Sequence, residues 1–510
     1  MLSKKAAKLL FFVHIFLKKL LRLKSITLDN IIVYILTSGG NIMFIDFLKI
    51  LLIGIISIIV YFNLIGPVNY KLFVNMYPYL LSFTVLLIIF LISIQFIKNP
   101  FIVSGVYLIM TIFTVFFIFT FFQVYRNVRM TSNTDTEKNI VSAPITLHNE
   151  ALLIYDEKTM FDEMIEEIYK AKNHIHIEFF ILRNDKIGQK LKELLIKKAK
   201  EGVEVRVIYD GIGSIGLKKN YIKELQKAGV GIKSYDGIWQ SIMKGKLNRR
   251  NHRKIVIIDG AVGFTGGINI GDEYLGRDDE IGNWKDTLVK IKGEAVKDMQ
   301  KAFLDDWHYI SGEELIDTRY FPRTTTDNIL PIEIVACKYE NHLNITNQAY
   351  LSIIESAKEN LYIVTPYLVL NDTMMNGIKL AVLRGVDVKI ILPKNPDHFL
   401  VGWVNASFYN ELLNSNVKVY LYGDGFLHSK IVVVDEEIVS VGSANFNMRS
   451  QYLDCELIAI LFDTKQSSNM IKDLHKSIEN SKEIILKDYN NRSLLQRIKE
   501  KLGILIRPLV

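Results

Sequence analysis

Apolar residues fall in two regimes along the chain. Before residue 125 they form long unbroken runs; after it they alternate with polar residues at the short periods of soluble secondary structure. Three early runs, Phe47 to Gly66, Tyr77 to Ile97 and Phe101 to Val124, are long enough to cross a bilayer as helices, and only the first contains a charge, Lys49. Pro67 and Asn99-Pro100 mark the turns between them. Arg126, Arg129 and Lys138 follow the last run, so the positive-inside bias predicts a multi-pass protein of the cell membrane with its C-terminal part in the cytoplasm.

Residues 1–42 conflict with that topology. Lys4, Lys5, Lys8, Lys18, Lys19, Arg22 and Lys24 favour the cytoplasm as well, and three spans cannot place both ends there. Either Leu9 to Lys24 lies along the membrane as a basic amphipathic helix and the number of spans is even, or translation starts at Met43, with the preceding Gly39-Gly40-Asn41-Ile42 encoded by a purine-rich ribosome-binding site. N-terminal sequencing that finds residues 1–42 in the natively expressed protein refutes the second.

Past the polar stretch Thr131 to Lys138 the chain runs twice through one series of elements. The first pass has a helix ending at Ala171-Lys172-Asn173, a strand-like run His174 to Leu182, a helix ending at Lys200-Glu201-Gly202 and a strand Val203 to Tyr209. The second has Ala357-Lys358-Glu359-Asn360, Leu361 to Thr365, Leu383-Arg384-Gly385 and Val386 to Leu392. Strands alternating with helices predict an α/β fold of mixed sheets flanked by helices, with ligands at the strand ends. The expected organisation is an N-terminal extension (1–42), a transmembrane anchor (43–126), a linker (127–145), a first lobe (146–318), an inter-lobe linker (319–332), a second lobe (333–485) and an amphipathic tail (486–510).

The repeat carries chemistry. His252-Arg253-Lys254 leads through Ile255 to Ile258 into Asp259, and His428-Ser429-Lys430 leads through Ile431 to Val434 into Asp435. Asn269 and Asn445, the latter in the turn Gly442-Ser443-Ala444-Asn445, each lie 17 residues after the histidine. One such match reads more readily as an ordinary strand histidine; two with matched asparagines do not. Residues two apart on a strand share a face, so each histidine projects beside its lysine, a base next to a cation. A pseudo-twofold axis between the halves brings both pairs to one seam, where a phosphate is expected.

Composition adds little. The excess of hydrophobic (49 %) and aromatic (11 %) residues sits in the early runs, and a net charge of +8 suits an anionic surface, nucleic acid or acidic lipid, of which the apolar runs favour lipid. Cys337 and Cys455 fall in different halves without a C-x-x-C partner, which predicts neither a disulfide framework nor a zinc site and fits a reducing compartment.

These motifs resemble the phospholipase D superfamily, whose signature is two H-x-K-x4-D motifs, each followed by a glycine- or serine-rich turn and an asparagine. Asn251 to Val256, Thr265 to Gly276, Ala444-Asn445-Phe446 with Met448-Arg449-Ser450, and the ending Arg507-Pro508-Leu509-Val510 are more specific and resemble the bacterial cardiolipin synthases. The resemblance covers about the last three-quarters of the chain. Asn447 stands where an aspartate is common, and Asp454-Cys455 replaces an Asn-Phe pair before Glu456.

The resemblance implies two phospholipase D-like lobes and a phosphatidyl group carried on a histidine. A phosphodiester repels nucleophiles, so its catalyst needs a neutral imidazole, cations to absorb charge and an acid for the leaving alkoxide. Two histidine–lysine pairs supply all three without cofactor or metal. By family analogy His252 attacks phosphatidylglycerol and His428 donates the proton; Lys254, Lys430, Asn269, Asn445 and Ser443 hold or support the phosphate. Glu456, 28 residues after His428, and Asp286, 34 after His252, are candidates to orient the imidazoles, although Asp286 reads equally as a solvated carboxylate. Asp259 and Asp435 complete the catalytic signature and are expected to act mainly structurally at strand ends.

Lys244, Lys246, Arg249, Arg250 and Arg253 form a basic run suited to anionic headgroups or to a solvated loop. Leu494, Leu495, Ile498, Leu502 and Leu505 follow helical spacing, for a membrane surface or for packing on the lobes. The partners expected are anionic phospholipids (phosphatidylglycerol, cardiolipin) and the bilayer. A phospholipase D-type hydrolase, a phosphatidylethanolamine-using transferase and a membrane-tethered nuclease remain alternatives. The nuclease, and nucleic acid as a partner, are disfavoured because the motif flanks offer few stacking aromatics beyond Phe264, Tyr274 and Phe446.

Overall fold

The computed structural model describes residues 144–510 other than 244–248, 277–281, 325, 338–344 and 508–510. The extension 1–42, the three expected spans and the linker up to residue 143 lie outside the described residues, as do Lys244 and Lys246. No helix among the described residues is long and apolar enough to cross a membrane.

The strands of the first half are β1 (Thr146–Ile154), β2 (His174–Phe179), β3 (Glu204–Asp210), β4 (Gly231–Tyr235), β5 (Ile255–Ile258), β6 (Val262–Gly266), β7 (Trp284–Lys285) and β8 (Leu288–Gly293). Those of the second are β9 (Ile329–Ala336), β10 (Asn360–Val364), β11 (Asp387–Pro393), β12 (Lys418–Tyr422), β13 (Phe426–Leu427), β14 (Ile431–Val434), β15 (Ile438–Gly442), β16 (Leu457–Phe462) and β17 (Ser481–Glu483). Fifteen of them form one mixed sheet in the order β17-β12-β11-β10-β14-β15-β16-β9-β1-β8-β6-β5-β2-β3-β4. Apart from β17 the order is a palindrome about the β9–β1 junction, so each strand of one lobe has a counterpart in the other and the pseudo-twofold axis passes between β1 and β9.

Local sequence explains why the repeated elements form where they do. The helix Glu157–Lys170 starts at Asp156, whose carboxylate accepts the Thr159 N–H at 2.8 Å. The helices Lys186–Lys200 and Asp372–Leu383 stop just before Gly202 and Gly385, whose φ values of +91° and +94° favour glycine. β5 alternates its side chains between two cores: Ile255 and Ile257 face a cluster shared by both lobes, Val256 and Ile258 a cluster of lobe 1 that Phe426 of lobe 2 joins. β14 does the same, with Ile431 and Val433 in the shared core and Val432 and Val434 in that of lobe 2. The shared core, under the helices Val296–Ser311 and Thr464–Glu479, fixes one lobe against the other. β9 begins inside the stretch read from sequence as inter-lobe linker, and Tyr320, at that stretch's start, is buried against His174 and His176 of lobe 1.

Candidate active site

Both motif histidines sit on short arms that precede β5 and β14 and cross to the opposite lobe. The Cys455 N–H donates to the Arg250 carbonyl and the His252 N–H to the Cys455 carbonyl, both at 2.9 Å. In the other lobe β13 pairs in parallel with β7, the Phe426 N–H donating to the Asn283 carbonyl at 2.7 Å and the His428 N–H to the Lys285 carbonyl at 2.8 Å. Each arm therefore lies against the segment that ends in the other lobe's carboxylate. The side chains follow: His252 Nδ1 is 3.0 Å from both oxygens of Glu456, and His428 Nδ1 is 2.7 Å from Asp286 Oδ2. Each imidazole thus meets one of the two candidate carboxylates, and does so across the seam.

Asp286 and Glu456 are themselves counterparts, two residues before Leu288 and Ile458, which pair with Gly266 and Gly442. Both are fully buried, yet their surroundings differ. Glu456 accepts from Ser443 Oγ at 2.5 Å and Ser450 Oγ at 2.6 Å. Burial pushes its carboxyl up to about 7, against the pull of Lys254 and the serine hydroxyls. Burial also raises Asp286, but Lys430 and the hydrogen bonds from His428 and the Thr287 N–H outweigh it and hold the carboxyl below its ordinary range. Burial and then Lys254 lower His252 well below the usual imidazole range. Burial and Lys430 take His428 down to about 4 while Asp286 pulls the other way. Lys430 also acts on His252 and Lys254 on His428, so the two pairs share one electrostatic site.

Both lysines are buried, and each ammonium donates to the carbonyl of the histidine two residues earlier, Lys254 at 2.6 Å. Burial lowers Lys254 to about 7 and Lys430 to about 8, so an arriving phosphate would restore their full charge. Asn269 accepts the Ile181 N–H at 3.1 Å and donates to Tyr274 Oη at 3.0 Å. Asn445, whose N–H donates to Ser450 Oγ, is buried, and its Oδ1 has no partner among the described residues. Turning that amide over would offer N–H donors to an anion.

Asp259 and Asp435 are not brought to this site. At φ of 53° and 51° they close the turns after β5 and β14. Asp259 accepts the N–H groups of Lys172, Asn173 and His174, and Asp435 those of Lys358, Glu359 and Asn360, all within 2.9 Å. They join turns at the far ends of the motif strands, so their place in the signature is architectural. The basic run is corrected too: Arg249, Arg250 and Arg253 are buried. Arg250 binds the Asp236 carbonyl and Ser241 and lies 3.5 Å from Asp210; Arg253 reaches Asp306 and the carbonyls of Cys337 and Glu456. They brace the first motif arm and are no headgroup surface.

An aromatic wall escaped the sequence reading. The Phe180 ring centroid is 4.9 Å from that of His252, and Trp284 and Phe426 lie 4.9 and 5.7 Å from that of His428. Trp284 and Phe426 stand two residues before Asp286 and His428, a same-face spacing that signals them; nothing in the sequence around Phe180 does.

Two similar α/β lobes that bring their histidine–lysine pairs to one buried seam define a phospholipase D-like protein. The model for the family described as cardiolipin synthase, PLD-like domain, matches residues 164–307 and again 350–478. The cardiolipin synthase of Alkalihalophilus pseudofirmus is 39 % identical over 369 residues, 72 % of this chain and 73 % of that one, and that of Clostridium perfringens 43 % over 371 residues, 72 % and 78 %. The chain belongs to the cardiolipin synthase family. A solved phosphatidylserine synthase from Haemophilus influenzae shares the fold, with a TM-score of 0.56 and 17 % identity over 76 % of this chain and 99 % of that one.

Proposed function

We propose that the chain transfers a phosphatidyl group from one phosphatidylglycerol to another, yielding cardiolipin and glycerol. The crossed imidazole–carboxylate pairs carry this reading, because they put two oriented bases and two lysines around one space. With its Nδ1–H given to Glu456, His252 presents Nε2 as nucleophile. Attack on phosphorus forms a P–N bond and breaks the P–O bond to glycerol, whose oxygen takes a proton from His428. Burial and Lys430 hold His428 down to about 4, so the proton it donates is taken up as the anionic phosphodiester seats beside it, and Asp286, ionised against the ring, steadies that charge. His428, now neutral, removes the proton from a terminal hydroxyl of the second phosphatidylglycerol; that oxygen displaces His252 and the P–N bond breaks. Lys254, Lys430, Asn269 and Asn445 take up charge on the nonbridging oxygens.

Phe180, Trp284 and Phe426 around the imidazoles favour an alcohol over water as acceptor. The three apolar runs before residue 125 support a multi-pass anchor in the cell membrane with the lobes on its cytoplasmic side. The test is expression of wild type and His252→Ala in cells without endogenous cardiolipin, read by lipid mass spectrometry. Cardiolipin from wild type alone is the expected result; cardiolipin from both removes His252 from the chemistry, and phosphatidic acid in place of cardiolipin makes the protein a hydrolase.

A further inference from the structure

The helix Leu494–Ile506 turns its apolar stripe away from the protein. Its inner side is fixed: Gly503 abuts the Trp403 backbone so closely that a Cβ would come within 2.2 Å of the Trp403 carbonyl oxygen, Arg507 donates to Ser407, and Glu500 binds Tyr489 and Arg492. At 100° per residue, Leu494, Ile498, Leu502 and Leu495 occupy the opposite side. They are 74 %, 46 %, 42 % and 60 % exposed. A helix packed on a protein core normally shows the reverse pattern. Arg497 and Lys501 flank the stripe on one edge and Lys499 on the other, an arrangement that suits an anionic lipid surface and would gain little from a neutral apolar partner.

From the edge of the stripe a line of side chains runs toward the site. Lys499 lies over the Trp403 ring, which meets the ring of Phe399 at 5.3 Å, and Phe399 is 68 % exposed. Two residues before Phe399, Asp397 accepts from Tyr367 Oη at 2.6 Å and lies close enough to Lys430 to act on its ammonium. We propose that Leu494, Leu495, Ile498 and Leu502, with Trp403 and Phe399, seat lobe 2 on an anionic lipid bilayer beside the mouth of the site, so that substrate enters without crossing water. The proposal rests on the phospholipid reading above.

The test labels Leu495→Cys and Ile498→Cys, each in the full chain, with an environment-sensitive fluorophore. Glu479→Cys is the exposed control and the labelled wild type gives the background of Cys337 and Cys455. The chains are placed in phosphatidylglycerol–phosphatidylethanolamine vesicles. We expect loss of most emission at 495 and 498 to a quencher carried on the lipid chains and none to aqueous iodide, with the reverse at 479. Quenching by iodide at 495 and 498 overturns the proposal; so does shielding from both quenchers, which would mean that a second copy or another part of the chain covers the stripe. The readout is independent of turnover: bilayer-seated labels on a chain that makes no cardiolipin would keep the surface and discard the phosphatidyltransferase reading.

Discussion

In lobe 1 the carboxylate is an aspartate facing a glycine, and a Cβ on Gly267 would come within 2.2 Å of Asp286 Oδ1. In lobe 2 the corresponding positions hold a glutamate and a serine, Glu456 and Ser443, joined by a hydrogen bond with Ser450 as a further donor. One extra methylene and two hydroxyls separate sites that the fold makes equivalent. The consequence is electrostatic: Asp286 stays ionised under Lys430, whereas burial brings Glu456 to about 7. An imidazole beside a permanent anion suits the acid–base role, and one with a weaker partner stays neutral and nucleophilic. The asymmetry is what the proposed division of work between His428 and His252 rests on, and it can be attacked at each point.

The largest effects should come from the imidazoles. His252→Ala and His428→Ala are each expected to lower kcat by roughly 10⁴–10⁶-fold. They should part company on a p-nitrophenyl phosphatidyl ester, whose leaving group needs no proton: His428→Ala should recover a burst of p-nitrophenol and His252→Ala none. A burst from His252→Ala alone would exchange the roles. Next come the carboxylates. Asp286→Asn should cost about 10³–10⁴ in kcat, because the amide can stabilise no imidazolium. Glu456→Gln should cost only about tenfold, because its carbonyl still accepts the His252 Nδ1–H. Equal losses would dissolve the distinction.

Smaller effects test how each carboxylate is held. Gly267→Ser should displace Asp286 and lower kcat about 100-fold, as misplacement by an ångström does elsewhere. Ser443→Gly removes one donor and should lower it about tenfold. The smallest effect, within an order of magnitude around neutrality, is the pH profile. Protonating Glu456 weakens its hold on the Nδ1–H, so kcat/KM should fall by at most about tenfold as pH drops below about 7; Lys254 and Lys430 must keep their protons, so it should fall again above about 7 to 8. Glu456→Gln should abolish the acid limb and spare the alkaline one.

The duplicated H-x-K-x4-D motif, the matched asparagines and the α/β alternation were legible in the sequence because they follow local periods of two and 3.6. The candidates Asp286 and Glu456 were legible as residue types at a distance from their motifs. Their crossing was not, since no spacing within one half reveals that His252 meets a carboxylate in the other lobe. Burial of Arg250 and Arg253 was hidden for the same reason: charge runs display charge, while the partners Asp210 and Asp306 are about 40 to 50 residues away. Phe180 reached His252 only through the path of β2.

In the proposed reaction two lobes hold one phosphorus between them and His252 bonds to it. The most direct test is to incubate the protein with phosphatidylglycerol labelled in the phosphatidyl phosphate, quench in alkali, where a phosphoramidate survives, and map the labelled peptide. Label on the peptide containing His252, absent from His252→Ala and enriched in His428→Ala supplied with the p-nitrophenyl ester, is the predicted result. Label on His428, or turnover without any adduct, would contradict it.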